Sequence, residues 1–289
     1  MTSGVTLAPA LSTVRGVRIP RSRRVLRTLA GPDGGKFFIF LPKGWSPGGS
    51  VLVAVHGISR DAREQIDLFA ARATASRCAL IAPWFRDGDY SGFQRLGLDG
   101  RGGRADRFLL RVMAAFDELF GQTTPSRSRF LFGYSGGSQF AHRFALVHPG
   151  HFAGLILGAA GWYTFPDVAT RWPRGLAKWP EEPAPNLGYW LALPMLVLVG
   201  RKDTQRDGAL RRGRRLDRQQ GRHRLERARA FVTAVNSTAM TLGLAAPARL
   251  KVLPGVAHSF PEAVREGGLG EKIFEFMGLP APVTFGESK

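Results

Sequence analysis

The sequence predicts an α/β protein, with a doubly wound, mostly parallel sheet and helices on both of its faces. Three observations carry that expectation. Short runs such as "VLVAVHG" (51–57) and "PMLVLVG" (194–200) are apolar at nearly every position, which suits strands buried on both faces. Between such runs stand longer segments whose apolar residues recur at helical spacing. The two kinds alternate along the chain, and neither an internal repeat nor a long linker interrupts them. At 289 residues the chain can bury a large core, and 1–289 is expected to fold as one domain.

The elements run in order. "RRVLRTLA" and "KFFIFLP" read as two strands joined by the glycine-rich turn "GPDGG". After the buried strand "VLVAVHG" comes a helix over "DAREQIDLFAARATASR", in which Asp61 and Glu64 have capping-box spacing. "CALIAPWF" is strand-like, and "RADRFLLRVMAAFDELFG" is helical with Gly121 at its end. "RFLFGYS" and "GGSQFAHRFALVHPG" form the next strand and helix, the latter closed by Pro149 and Gly150. Two further buried strands, "FAGLILGAAG" and "PMLVLVG", flank an irregular, aromatic-rich insert at 162–193. A basic helical stretch leads to the last strand, "ARLKVLPGVAH", and to a terminal helix within "PEAVREGGLGEKIFEFMG".

Composition narrows the function classes. No run of about 18 apolar residues occurs, so a membrane span is not expected. Cys78 is the single cysteine, which excludes an intramolecular disulfide. "SRRVLR" has the twin arginines of an export signal, but glycine, proline and charge break up the next eleven residues, so a cytoplasmic protein is expected. The net charge is +19, and 34 of the 41 basic residues are arginine. That charge would favour polyanions, yet the densest run, 201–230, lacks the aromatic interleaving of single-strand binders and reads as a solvated helix surface. Nucleic acid is therefore expected to be at most an incidental partner.

Chemistry concentrates in "LFGYSGGSQF" (131–140), where one serine stands among glycines between a strand and a helix. Gly133 and Gly137 let strand and helix cross closely, leaving Ser135 at a strained apex with its hydroxyl exposed. The backbone N–H of Gly136, at the helix start, is positioned to stabilise developing negative charge. A serine hydroxyl needs a base to take its proton. Of six histidines, His142 and His148 belong to the following helix, His151 to a turn and His223 to the arginine-rich stretch. His56 reads as support for its loop. His258, in the loop after the last strand, is the expected base. Asp203, just past a buried strand, is the expected carboxylate partner, with Asp207 and then Asp167 as rivals. A second oxyanion donor is expected from the backbone N–H of Ile58, with Ser59 as the alternative.

With these residues in place the sequence resembles the α/β-hydrolase superfamily from about Phe37 to Met277. More narrowly, it resembles bacterial serine esterases of the poly(3-hydroxybutyrate)-depolymerase-like or feruloyl-esterase-like type. The stretches that carry the resemblance are "VAVHGISRDA", "FGYSGGSQFAHRFALVHP", "GAAGWYTFPD", "LVLVGRKDT", "QQGRHRLERARAFV" and "VLPGVAHSF". It implies carboxylic ester hydrolysis through an acyl-enzyme, without metal or organic cofactor, by Ser135, Asp203 and His258. The chain departs from secreted depolymerases in lacking cysteine pairs and a visible leader or polymer-binding module. The substrate class implied is a small or oligomeric ester, including hydroxyalkanoate oligomers. Peptidase or thioesterase chemistry would use the same groups, and a polyanion-binding protein on a hydrolase scaffold is the alternative from another class. Trp162 and Tyr163, past one strand end, Trp84 (with Phe85) past another, and Tyr134 beside the serine are the expected substrate contacts.

Overall fold

Alternation along the central strands divides the interior into two layers. In β3 (Val51–Val55) the side chains of Val51, Val53 and Val55 join one buried cluster, and those of Leu52 and Ala54 join the other. This is the signature of a sheet covered on both faces, and it is why the run carries no polar residue. The structure, a computed structural model, describes residues 21–121 and 128–279. The ends of the expected 1–289 domain, and its 122–127 segment, lie outside the described residues.

The sheet has eight strands: β1 (Arg24–Leu29), β2 (Gly35–Phe40), β3, β4 (Ala79–Trp84), β5 (Arg129–Tyr134), β6 (Gly154–Gly158), β7 (Met195–Gly200) and β8 (Ala248–Leu253). Their spatial order is β1-β2-β4-β3-β5-β6-β7-β8. β1 and β2 are antiparallel to their neighbours, and all later pairs are parallel. The first layer is packed by α2 (Ala105–Leu119), α3 (Gly136–Val147), α4 (Leu187–Ala192) and α6 (Arg224–Thr241). The second is packed by α1 (Ala62–Ala75), α7 (Phe260–Arg265) and α8 (Leu269–Phe276). α5 (Arg214–Gln220) precedes α6. At the start of α1 the side chain of Asp61 accepts from the Glu64 N–H at 2.9 Å, satisfying a free first-turn donor as its spacing predicts.

Three expectations need correction. The terminal helix is two helices, because the chain turns at Gly267 and Gly268, the latter with φ +67°. The 162–193 insert is not irregular throughout, since it contains α4, and its rings mostly pack. Trp190 and Tyr163 are fully buried, and Trp172 meets Trp179 edge-on at 4.2 Å. The arginine-rich run is not simply a solvated surface either. Arg224 and Arg227 of α6 are fully buried, and Arg227 pairs with Asp217 at 2.8 Å while donating to the Gly161, Arg211 and Gly221 carbonyls. Among the described residues no helix is long and apolar enough to cross a membrane.

Candidate active site

The parallel strands all deliver their C-terminal ends to one edge, and there the chain turns sharply after β3, β5, β7 and β8. In open α/β sheets this edge is where ligands bind. The turn after β5 is strained. Ser135 has φ 53° and ψ −111°, a conformation costing about 1–3 kcal/mol for a residue with a side chain. A Cβ on Gly133 would lie 2.2 Å from the Gly137 carbonyl oxygen, and one on Gly137 would lie 2.2 Å from the Val55 carbonyl oxygen. No side chain fits at either position, so the glycines are what allow α3 to cross β3 and β5 so closely. The Ser135 N–H donates to the Gly158 carbonyl at 2.8 Å, fixing the apex to β6.

Asp203 and His258 arrive on loops tied to each other. The N–H groups of Arg201 and Lys202 donate to the carbonyls of Leu253 and Val256, both at 2.9 Å. Ser259 caps α7 by accepting from Glu262 N–H at 3.3 Å, which anchors the residue after His258. The His258 ring stacks on Tyr134, with centroids 5.6 Å apart. Its Nδ1 lies 2.8 Å from Asp203 Oδ2 and its Nε2 lies 3.1 Å from Ser135 Oγ. A buried carboxylate can only accept, so Nδ1 carries the proton and donates it, leaving Nε2 to accept from the serine hydroxyl. The structure thus brings the three sequence-selected side chains into one hydrogen-bonded line, able to draw a proton off the hydroxyl.

Arg224, which sequence reasoning left on a surface, stands behind that line. It is 1% exposed, and its Nη1 lies 3.3 Å from Asp203 Oδ1 and 2.8 Å from Asp207 Oδ2. Asp207 is therefore the partner of Arg224 and not of His258; these bonds hold its carboxyl below the usual carboxylate range, against the opposing effect of burial. Asp167 instead accepts from the N–H groups of Ala169 and Thr170 in its own turn. The only sequence signal for Arg224 is the set of acidic residues (Asp203, Asp207 and Asp217) sown through the basic run.

Ile58 and Gly136 lie side by side: a Cβ on Gly136 would be 3.3 Å from the Ile58 backbone nitrogen. Gly136 opens α3, where N–H groups lack intrahelical acceptors. Gly57, Ile58, Ser59, Glu64, Gln65, Tyr134, Ser135 and His258 to Pro261 line a cleft of about 320 Å³. Of the expected substrate contacts, Tyr134 lines it. Tyr163 does not, because it is fully buried with its ring stacked on Phe231 at 4.1 Å, while Gln220 pairs with its backbone N–H and carbonyl. Trp84 stacks on Phe38 at 6.3 Å, on the second layer, and Phe85 is fully buried in the first. Trp162 is covered by two guanidinium groups, those of Arg143 and Arg211. Among the described residues no His, Cys, Asp and Glu group has the makings of a metal site.

His56 supports the Ile58 loop as a neutral bridge. Its Nδ1–H donates to the Gly57 carbonyl at 2.8 Å, and its Nε2 accepts from the Phe85 N–H at 3.0 Å. Burial lowers its pKa to about 4, from near 6.5 in an unfolded chain. Below pH 6.5 the unfolded chain takes up a proton that the native protein refuses, so the contribution is complete above pH 6.5 and declines as pH falls to 4. Over that interval about 3 kcal/mol of stability should be lost. His142, fully buried, is lowered by burial and by Arg143 and acts in the same direction. Urea unfolding at pH 7 and pH 5 should show a lower midpoint at pH 5. His56→Gln should unfold earlier at pH 7 but with a smaller pH dependence, and an undiminished dependence would refute this role.

No protein-family model matches the chain, and no match is found among curated proteins. Solved structures do match. LpqC, a poly(3-hydroxybutyrate) depolymerase from Bordetella parapertussis, is 27% identical with a TM-score of 0.72, covering 85% of each chain. The chain has the α/β-hydrolase fold. Poly(aspartic acid) hydrolase-1 from Sphingomonas sp. KT-1 shares the fold at 22% identity and a TM-score of 0.74, over 89% of this chain and 98% of that chain. An S-formylglutathione hydrolase from Agrobacterium tumefaciens does so at 13% identity and a TM-score of 0.61, over 88% and 94%.

Proposed function

We propose that this α/β hydrolase cleaves carboxylic esters through a covalent acyl-serine. The single observation that carries the reading is the hydrogen-bonded line from Ser135 Oγ through His258 to buried Asp203. His258 Nε2 takes the hydroxyl proton as Ser135 Oγ bonds to the ester carbonyl carbon. The carbonyl oxygen becomes an oxyanion held by the N–H groups of Gly136 and Ile58. The imidazolium, stabilised by Asp203, then protonates the departing alkoxide, leaving the acyl group on Ser135. Water enters, gives its proton to the same nitrogen and releases the acid.

LpqC, the more similar in sequence of the two polymer hydrolases, supports a polyester or hydroxyalkanoate oligomer as substrate. Further support comes from Arg224 and Arg227. Because they are paired inside the fold, the basic run offers less free charge to a polyanion than its composition suggests. A fluorophosphonate probe should label the wild-type protein at Ser135, with one adduct located by peptide mass spectrometry. Hydrolysis of p-nitrophenyl butyrate should stop in proportion to labelling. Full labelling with undiminished hydrolysis, or labelling at another residue, would overturn the assignment.

A further inference from the structure

Charge is unbalanced in the segments after β4, β6 and β7, next to the turn that carries Ser135. Arg143 of α3 is fully buried and makes no ion pair with a described residue. Its Nε donates to Thr164 Oγ1 at 2.9 Å and its Nη1 to the carbonyls of Gln94 at 2.6 Å and Gln139 at 3.3 Å, while its buried Nη2 has no hydrogen-bond partner among the described residues. The guanidinium carbon of Arg143 lies 4.3 Å from the Trp162 ring centroid, and that of Arg211, from an exposed loop, lies 5.1 Å from it. Arg211 has no acidic partner among the described residues. Arg95, next to Gln94, bonds Asp99 Oδ2 at 2.9 Å, but Arg101 shares that oxygen at 3.0 Å. The proximity of the cations is felt: Arg143 is held well below the usual guanidinium range by burial, then by Arg95 and Arg211. Among the described residues of this cluster one carboxylate, that of Asp99, stands against the four guanidiniums of Arg95, Arg101, Arg143 and Arg211.

A cation taken from water without a counter-charge is costly, and contact with an indole face offsets only part of that cost. An arriving carboxylate would offset more, since a guanidinium fork matches its two oxygens. Residues that contact this cluster reach the turn of Ser135. Gln94 Nε2 would lie 3.0 Å from a Cβ on Gly136, and the Gln139 N–H donates to the Ser135 carbonyl at 3.2 Å. Trp162 comes shortly after Gly158, the residue that fixes the Ser135 N–H. The cleft itself, lined in part by α1 and α7, carries Glu64, which repels an anion.

We propose that Arg95 and Arg211, backed by Arg143 and Trp162, form an anion subsite that selects esters bearing a free carboxylate, such as acid-terminated hydroxyalkanoate oligomers. This rests on the ester-hydrolase reading and names the substrate class of the same site. The test uses mono-p-nitrophenyl esters of dicarboxylic acids from succinate to suberate, each beside its neutral methyl ester. For at least one chain length the free acid should have kcat/KM about 10-fold above its methyl ester at low salt, the yield of one charge-assisted contact. That ratio should fall towards 1 in Arg211→Gln and Arg95→Gln and in 0.5 M NaCl. It should persist in Arg249→Gln, which loses the same charge near the start of β8, away from the cleft edge. A ratio near 1 at every length in the wild type, or one lost equally in Arg249→Gln, overturns the subsite. If instead Ser135→Ala hydrolyses the neutral esters as fast as the wild type, the ester-hydrolase reading itself fails.

Discussion

Ser135→Ala is expected to lower kcat/KM for p-nitrophenyl butyrate by at least about 10,000-fold, equivalent to some 5 kcal/mol of lost transition-state stabilisation. Alanine keeps the Cβ and can occupy the same φ of 53° that serine does, so the elbow survives and only the hydroxyl disappears. The hydrogen bond lost on folding is the 3.1 Å one to His258, and stability should change by no more than about 1 kcal/mol. Near-wild-type thermal unfolding beside near-zero activity would separate chemistry from folding. His258→Ala should be almost as damaging, and the double variant should be no worse than either, because the two groups act as one unit. Additive losses, or more than about 1% of wild-type kcat/KM remaining in Ser135→Ala, would remove the serine from its role.

The fold is legible in the sequence wherever burial on both faces dictates an unbroken apolar run. β3, β6 and β7 are such runs; β3 and β7 end where the run ends, while β6 stops at Gly158 before the run does. The elbow is legible for a related reason: a backbone crossing that leaves 2.2 Å for a Cβ admits only glycine, so the geometry writes itself into residue type. Ser135, Asp203 and His258 could be selected because each comes just after a strand end, and parallel strands bring such ends to one edge.

The illegible parts depend on partners distant in sequence. Tyr163 comes after a strand end as a substrate contact would, but Phe231 and Gln220, on α6 and α5, turn it into the core. Arg224 belongs to a basic run most of whose members face water, and the convergence of Asp203 and Asp207 draws it inside. Pattern reading assigns charge to the surface because that is the cheaper place for it. It fails where several opposite charges together make burial tolerable. The break between α7 and α8 is visible as "GGLG", yet a glycine pair reads equally as a flaw in one helix or as the end of it.

Arg224 also sharpens what Asp203→Asn should do. In the native site both carboxylate oxygens accept, Oδ2 from His258 Nδ1–H and Oδ1 from Arg224 Nη1. Asparagine offers one accepting oxygen and one donating NH2 group. Arg224 can only donate, so the amide oxygen must turn towards the guanidinium and the NH2 towards His258. Nδ1 then has to accept, the ring proton moves to Nε2, and that nitrogen can no longer receive the proton of Ser135. The expected loss is about 10,000-fold in kcat/KM at neutral pH, from a side chain of nearly the same volume. Asp207→Asn loses only a bond to Arg224, outside the line that reaches the serine, and should stay within about tenfold of wild type. Removing the guanidinium should relieve the forced orientation: in Arg224→Met/Asp203→Asn the amide is free to flip, so the double variant should recover part of the activity that Asp203→Asn lost. Steady-state rates for the single and double variants decide the point. Equal losses in Asp203→Asn and Asp207→Asn would mean that the choice between the two carboxylates is wrong. A double variant no faster than Asp203→Asn alone would mean that Arg224 does not dictate which way the amide faces.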